Sequence, residues 1–142
     1  MSAESQLPPE ILARASLRDN EYAWPISDIP DVIEAARQSN LVNIGGQLQF
    51  RMPDAVCEGY WVEVDTHKLV SDALPWAMRV AKTADAAIEG FSQLRKEIDF
   101  LSEGRREFEK YLSEYERDGG AVQEAMCFVW YVEASGAEDF AD

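Results

Sequence analysis

The chain predicts an α+β domain: a small antiparallel-rich sheet of three to four strands packed against helices, with a long C-terminal helical segment. Three observations carry that expectation. Residues 60–65 alternate with a period of two, as a half-buried strand does. Residues 76–101 place apolar side chains three and four apart, a seam about seven helical turns long. Residues 125–132, Ala-Met-Cys-Phe-Val-Trp-Tyr-Val, form a nearly continuous apolar run of strand length, as a central strand would. With 142 residues and 46% hydrophobic side chains, one core suffices. The expected unit is a single domain over 1–142, with a frayed segment 1–7 and an acidic tail 134–142.

The elements follow in order. Pro8-Pro9 opens a short helical stretch, since proline is well placed at a first helical position. Its apolar face comes from Ile11, Leu12, Ala15 and Leu17, and it ends near Arg18-Asp19-Asn20. Glu21 to Pro25 is extended, because the residue before a proline is pushed out of the α region. Ser27 suits an N-cap, and Ile29, Val32, Ile33 and Ala36 predict a helix over about 28–38.

Leu41 to Met52 is strand-rich. Gly45-Gly46 inside it reads either as a two-residue hairpin turn or as a bulge or close backbone approach within one strand. Pro53-Asp54 marks a turn. In the next strand Tyr60, Val62 and Val64 share one face, and Trp61, Glu63 and Asp65 the other.

Ser71 or Asp72 caps the long helical segment, with Pro75 in its first turn. Its seam runs through Trp76, Val80, Ala84, Ala87, Phe91, Leu94, Ile98 and Leu101, then resumes at Phe108, Leu112 and Tyr115. Gly104-Arg105 interrupts it, which predicts two helices with a break there. Asp118-Gly119-Gly120 ends the helical region.

Charge narrows the partners. Twenty-seven acidic residues face thirteen basic ones, for a formal net charge of −14. A net charge of about 2–8 in magnitude is ample to keep a small domain dissolved. Nucleic acid needs a basic patch, and the nearest one, Arg105-Arg106 with Lys110, is interleaved with Glu103, Glu107 and Glu109. Anionic membrane surfaces are disfavoured for the same reason. No apolar run approaches the roughly 20 residues of a bilayer span, and the start carries no signal-peptide pattern. Cys57 and Cys127 read as reduced, buried thiols, with a disulfide open only if their strands are neighbours.

Catalytic patterns are absent from the sequence. His67, the only histidine, sits at a strand end with no identifiable nucleophile. Two distant cysteines and one histidine do not supply a zinc site, and Gly45-Gly46 lacks the lysine of a phosphate loop. No cofactor is expected. The candidate binding residues are Glu58, Trp61, Glu63 and Asp65. They read either as a solvated outer face or as an acidic patch with an aromatic anchor for a basic partner.

Tyr22-Ala23-Trp24-Pro25, Ile33-Glu34-Ala35-Ala36, Val42-Asn43-Ile44-Gly45-Gly46-Gln47, Tyr60-Trp61 and Trp76 with Val80, taken as a unit, resemble a family of small bacterial immunity proteins. These are the antidotes of polymorphic-toxin and contact-dependent inhibition systems. The similar stretch covers about residues 20–95. The resemblance implies a cytoplasmic, non-enzymatic protein that neutralises a cognate toxin, expected to be basic, by direct binding. Two other classes stay open: an adaptor module or homodimer joined through the 87–115 seam, and a small-ligand binder or enzyme.

Overall fold

The computed structural model describes residues 2–136. Expectations for 137–142, part of the acidic tail, lie outside the described residues. The fold is α+β, with a single antiparallel sheet of five strands rather than three to four. Its order is β1 (Ser16–Arg18), β2 (Glu21–Pro25), β5 (Met126–Glu133), β3 (Val42–Met52), β4 (Ala55–Asp65). The additional strands are β1, whose residues were expected to end a helix, and β2, expected only as an extended segment. Asp19 and Asn20 both take positive φ, a tight turn that folds β1 back on β2. The helix before it is only Pro9–Leu12 (α1).

β5, the apolar run, is the middle strand, paired with β2 on one side and β3 on the other. Gly45-Gly46 is no turn. Both glycines lie inside the 11-residue β3, and the turn to β4 falls at Pro53-Asp54. A side chain on Gly46 would collide with the carbonyl of Val129, and one on Gly45, at φ +139°, with the carbonyl of Val64. The pair lets β5 and β4 approach β3 from its two sides.

The helical segment is three helices, α3 (Trp76–Glu97), α4 (Phe100–Glu107) and α5 (Glu109–Arg117). The first break falls at Ile98-Asp99, because the Asp99 carboxylate accepts the Ser102 N–H at 3.1 Å and caps α4. The second falls at Phe108, not at Gly104-Arg105. Gly104 stays inside α4, where the Phe50 ring lies against its Cα. That is why the seam skips position 105: the inward position is the glycine. A short helix α6 (Val122–Ala125) leads into β5.

All the larger helices pack on one face of the sheet. Leu48, Phe50, Val62, Val64, Phe128 and Trp130 meet Ile29, Val32, Ile33 and Ala36 of α2 (Ile29–Gln38), Ala84, Ala87 and Phe91 of α3, and Leu112 of α5 in one core. Phe91 stacks edge-on to Phe128 at 5.1 Å. The 87–115 seam, considered above as a dimer surface, is therefore occupied by the chain's own sheet. Trp24 is buried, its indole N–H donating to the Ile11 carbonyl at 2.8 Å. Trp76, expected in the core, is only half-buried: it donates to the Asn40 carbonyl and lies under the Arg79 guanidinium. The segment expected to fray contains a 3-10 turn, Ala3–Gln6, and Leu7 is buried. Glu4 is buried too and accepts the Val132 N–H at 2.8 Å, an amide that β2 is too short to reach.

Cys57 and Cys127 are both free and buried. Cys57 pairs with Phe50, on the helix side, and Cys127 with Gln49, on the other side. With β3 between their strands and the thiols on opposite faces, no disulfide can join them.

Candidate functional site

Among the described residues no helix lies over the opposite face of the sheet, yet Val129 at its centre is fully buried. Long polar side chains cover it. Arg51 donates to Gln49 Oε1 at 2.8 Å, to the Ser16 carbonyl and hydroxyl at 2.8 and 3.0 Å, and to the Glu21 carbonyl at 3.0 Å. Gln49 donates to Glu58 at 3.1 Å. Tyr131 donates to Glu21 and accepts from Gln47 at 3.2 Å. β1 and β3 are not neighbours in the sheet, so the Arg51–Ser16 contact requires the sheet to curl, with this face concave.

Burial controls the titration of two groups here. It pushes the Cys127 thiol up to about 11, although Arg51 and Arg18 pull the other way. It pushes the Tyr131 phenol up to about 12, with the hydrogen bond to Glu21 adding to the effect. An unfolded chain releases the thiol proton near pH 9, whereas the native one holds it until about 11. Stability is thus expected to be intact below pH 9 and to fall as pH rises from 9 to 11, by at most about 2–3 kcal/mol from Cys127. Urea unfolding at pH 8 and pH 10.5, on wild type and Cys127→Ala, checks this: the alkaline loss should shrink in the variant.

The four predicted binding residues lie along β4, the outermost strand on its side. They do not form one face. Leu48 pairs with Gly59 and Gln47 with Glu63, so Tyr60, Trp61 and Val62 have no partner on β3. This bulge resets the alternation. Val62 and Val64 point into the core, Tyr60 becomes 67% exposed, and Trp61 turns toward the helices. The Trp61 ring lies 5.7 Å from Phe108 and edge-on to Tyr60 at 5.8 Å, and its N–H donates to Glu103 at 3.0 Å. Glu58, Glu63 and Asp65, by pairing with Gln49, Gln47 and Gly45, belong to the concave face instead. Glu63 takes Lys68 at 3.3 Å. Asp65 accepts the His67 N–H at 2.9 Å and caps the 3-10 turn Thr66–Lys68, a structural task.

A cleft near this strand carries no signal in the residue pattern. About 450 Å³ lies between the β3–β4 turn and α5, lined among others by Asp54, Tyr111, Glu114, Tyr115 and Asp118. Tyr111 is half-exposed and stands one turn beyond Phe108, the residue that the Trp61 ring meets. None of the three carboxylates there makes an ion pair among the described residues. Only the folded chain brings residues 54 and 111–118 together.

Among the described residues, no group of three or more His, Cys, Asp or Glu is placed to hold a metal ion, and no helix is long and apolar enough to cross a membrane. Comparison of the chain with protein-family models, with curated proteins and with solved structures found no match.

Proposed function

We propose that this is a non-enzymatic binding protein, an immunity protein that neutralises a cognate bacterial toxin by direct contact, working in the cytoplasm. The observation that carries the reading is the β4 bulge. It presents Tyr60 and the half-exposed Trp61 at the rim of a sheet, with unpaired carboxylates in the adjoining cleft. Exposed aromatic anchors with a charged surround are what protein interfaces use for affinity and for orientation. The sequence resemblance supplies the partner class, and the net charge of −14 favours a basic one. Such a field speeds encounter, with association reaching about 10⁸–10⁹ M⁻¹s⁻¹ at low salt.

The reading expects a secreted protein with a toxic C-terminal domain to be encoded beside this chain, and the test uses that domain. Co-expression of wild type is expected to restore growth. The variant Tyr60→Ala with Glu114→Gln changes only exposed groups, so it should fold normally while binding at least tenfold more weakly. Its association rate should also depend less on salt. No growth rescue by the wild type, or equal rescue by the variant at equal affinity, would count against this surface and this partner class.

A further inference from the structure

At the end of the concave face away from Asp65 lies a second cavity of about 250 Å³. Arg14, Arg18, Arg51 and Cys127 line it, together with Glu124. Three arginines at one cavity are unexpected in a chain with twice as many acidic as basic side chains. Arg14 is already neutralised by Asp28 at 3.5 Å and Asp31 at 2.9 Å. Arg18 and Arg51 make no ion pair among the described residues.

Arg51 is 8% exposed, and every acceptor it uses is neutral: one amide, one hydroxyl and two backbone carbonyls. Among the described residues Arg18 uses a single donor, to the Met52 carbonyl, and its other N–H groups have no partner. A buried cation without a counter-charge is costly, and a second cation beside it raises that cost. Arg18 does bear on Arg51: it adds to burial in lowering the Arg51 pKa. The Glu21 carboxylate bears on Arg51 in the opposite direction, but it takes the Tyr131 hydroxyl and makes no ion pair with either arginine among the described residues. Among the described residues Glu124 is the single acid in the lining, and it is exposed on α6 with no ion-pair partner.

We propose that this cavity is an oxyanion site, in which Arg18 and Arg51 receive the phosphate or carboxylate group of a small ligand or of a partner's side chain. Arg51 is held rigid by its four bonds and fixes the floor of the site. Arg18, on the outer strand β1, supplies the free fork of donors that such an anion takes in bidentate fashion. The small lining residues Ala23 and Ala125 leave room for the group. Function here is separate from the β4 surface, which lies across the sheet, so either assignment can fail alone.

The test is an amide and arginine side-chain NMR titration of the full chain. Inorganic phosphate and acetate are added in separate arms against sodium chloride at matched ionic strength. Saturable shifts are expected at Ala23, Ala125, Cys127 and the Arg51 Nε–H, and the arm that saturates identifies the anion class. Arg18→Gln, at a half-exposed edge position, should keep the native spectrum and weaken binding at least about tenfold. Arg105→Gln, on the far surface and paired with Glu116, should change nothing. Absence of saturation in both arms, or equal binding by Arg18→Gln and wild type, would overturn the proposal.

Discussion

Gly46→Ala is expected to cost about 4 kcal/mol or more, enough to leave a domain of ordinary stability largely unfolded. The methyl group has nowhere to go. It would meet the Val129 carbonyl of the central strand, with the Trp130 ring 3.0 Å away. Relief would require β5 to move off β3, and the two share a ladder from Val42 to Phe50. Gly90→Ala is the matched control. That residue lies in α3, where a methyl would reach Val64 Cγ1 at 3.5 Å, an ordinary contact. It should be neutral, or stabilising by up to about 1 kcal/mol from helix propensity. Urea titration followed by far-UV circular dichroism separates the two. A folded Gly46→Ala protein with a wild-type midpoint would show that the strands have more freedom than the structure allows.

Asn43→Ala should be nearly as damaging, at about 3–4 kcal/mol. Asn43 is fully buried and ties four elements together. Its side chain donates to the Ile33 carbonyl of α2 at 3.2 Å and accepts the Trp130 indole N–H at 2.8 Å. Its backbone N–H donates to Thr83 of α3 at 3.1 Å, and its carbonyl accepts from Thr66 at 2.6 Å. Truncation leaves a buried indole N–H without a partner, takes a second donor from the Ile33 carbonyl, and opens a cavity beside them. Among the described residues no buried side-chain polar atom lacks a partner in the native protein, so the variant would introduce such a defect. Coupling can be read from a double-mutant cycle. Asn43→Ala and Trp130→Phe remove the same bond, so their joint cost should fall short of the sum by about 1 kcal/mol. Strict additivity would mean that the Asn43–Trp130 bond contributes nothing.

Much of this architecture was legible in the residues. The central position of 126–133 followed from its unbroken apolar run, because a strand buried on both faces has no polar alternation to show. The seam of α3 followed from its spacing. The helix breaks did not, since apolar periodicity persists across a capped bend and only the Asp99 cap marks it. β1 was hidden because Ser16–Arg18 is too short to display a period. The grouping of Trp61 with Glu63 and Asp65 assumed an uninterrupted strand. Two-residue alternation fails wherever extra residues bulge, and nothing local in Gly59-Tyr60-Trp61 reveals how many residues β3 will leave unpaired. The arginine cavity gathers residues from 14 to 127, a distance along the chain across which no motif extends.

The place of β5 in the sheet has a consequence for how the molecule is made. The hairpins β1–β2 and β3–β4 share no ladder; their backbones are joined in the sheet only through β5. A ribosome delivers that strand after all the others. Until residue 133 has emerged, the nascent chain holds two separate hairpins and a set of helices whose apolar faces lack their main platform. Sheet closure is then a late, long-range event of the kind that folds slowly, with pairing edges and hydrophobic surface open in the interval. Stalled or truncated chains ending before β5 should therefore be clients of chaperones and proteases, whatever the stability of the finished domain.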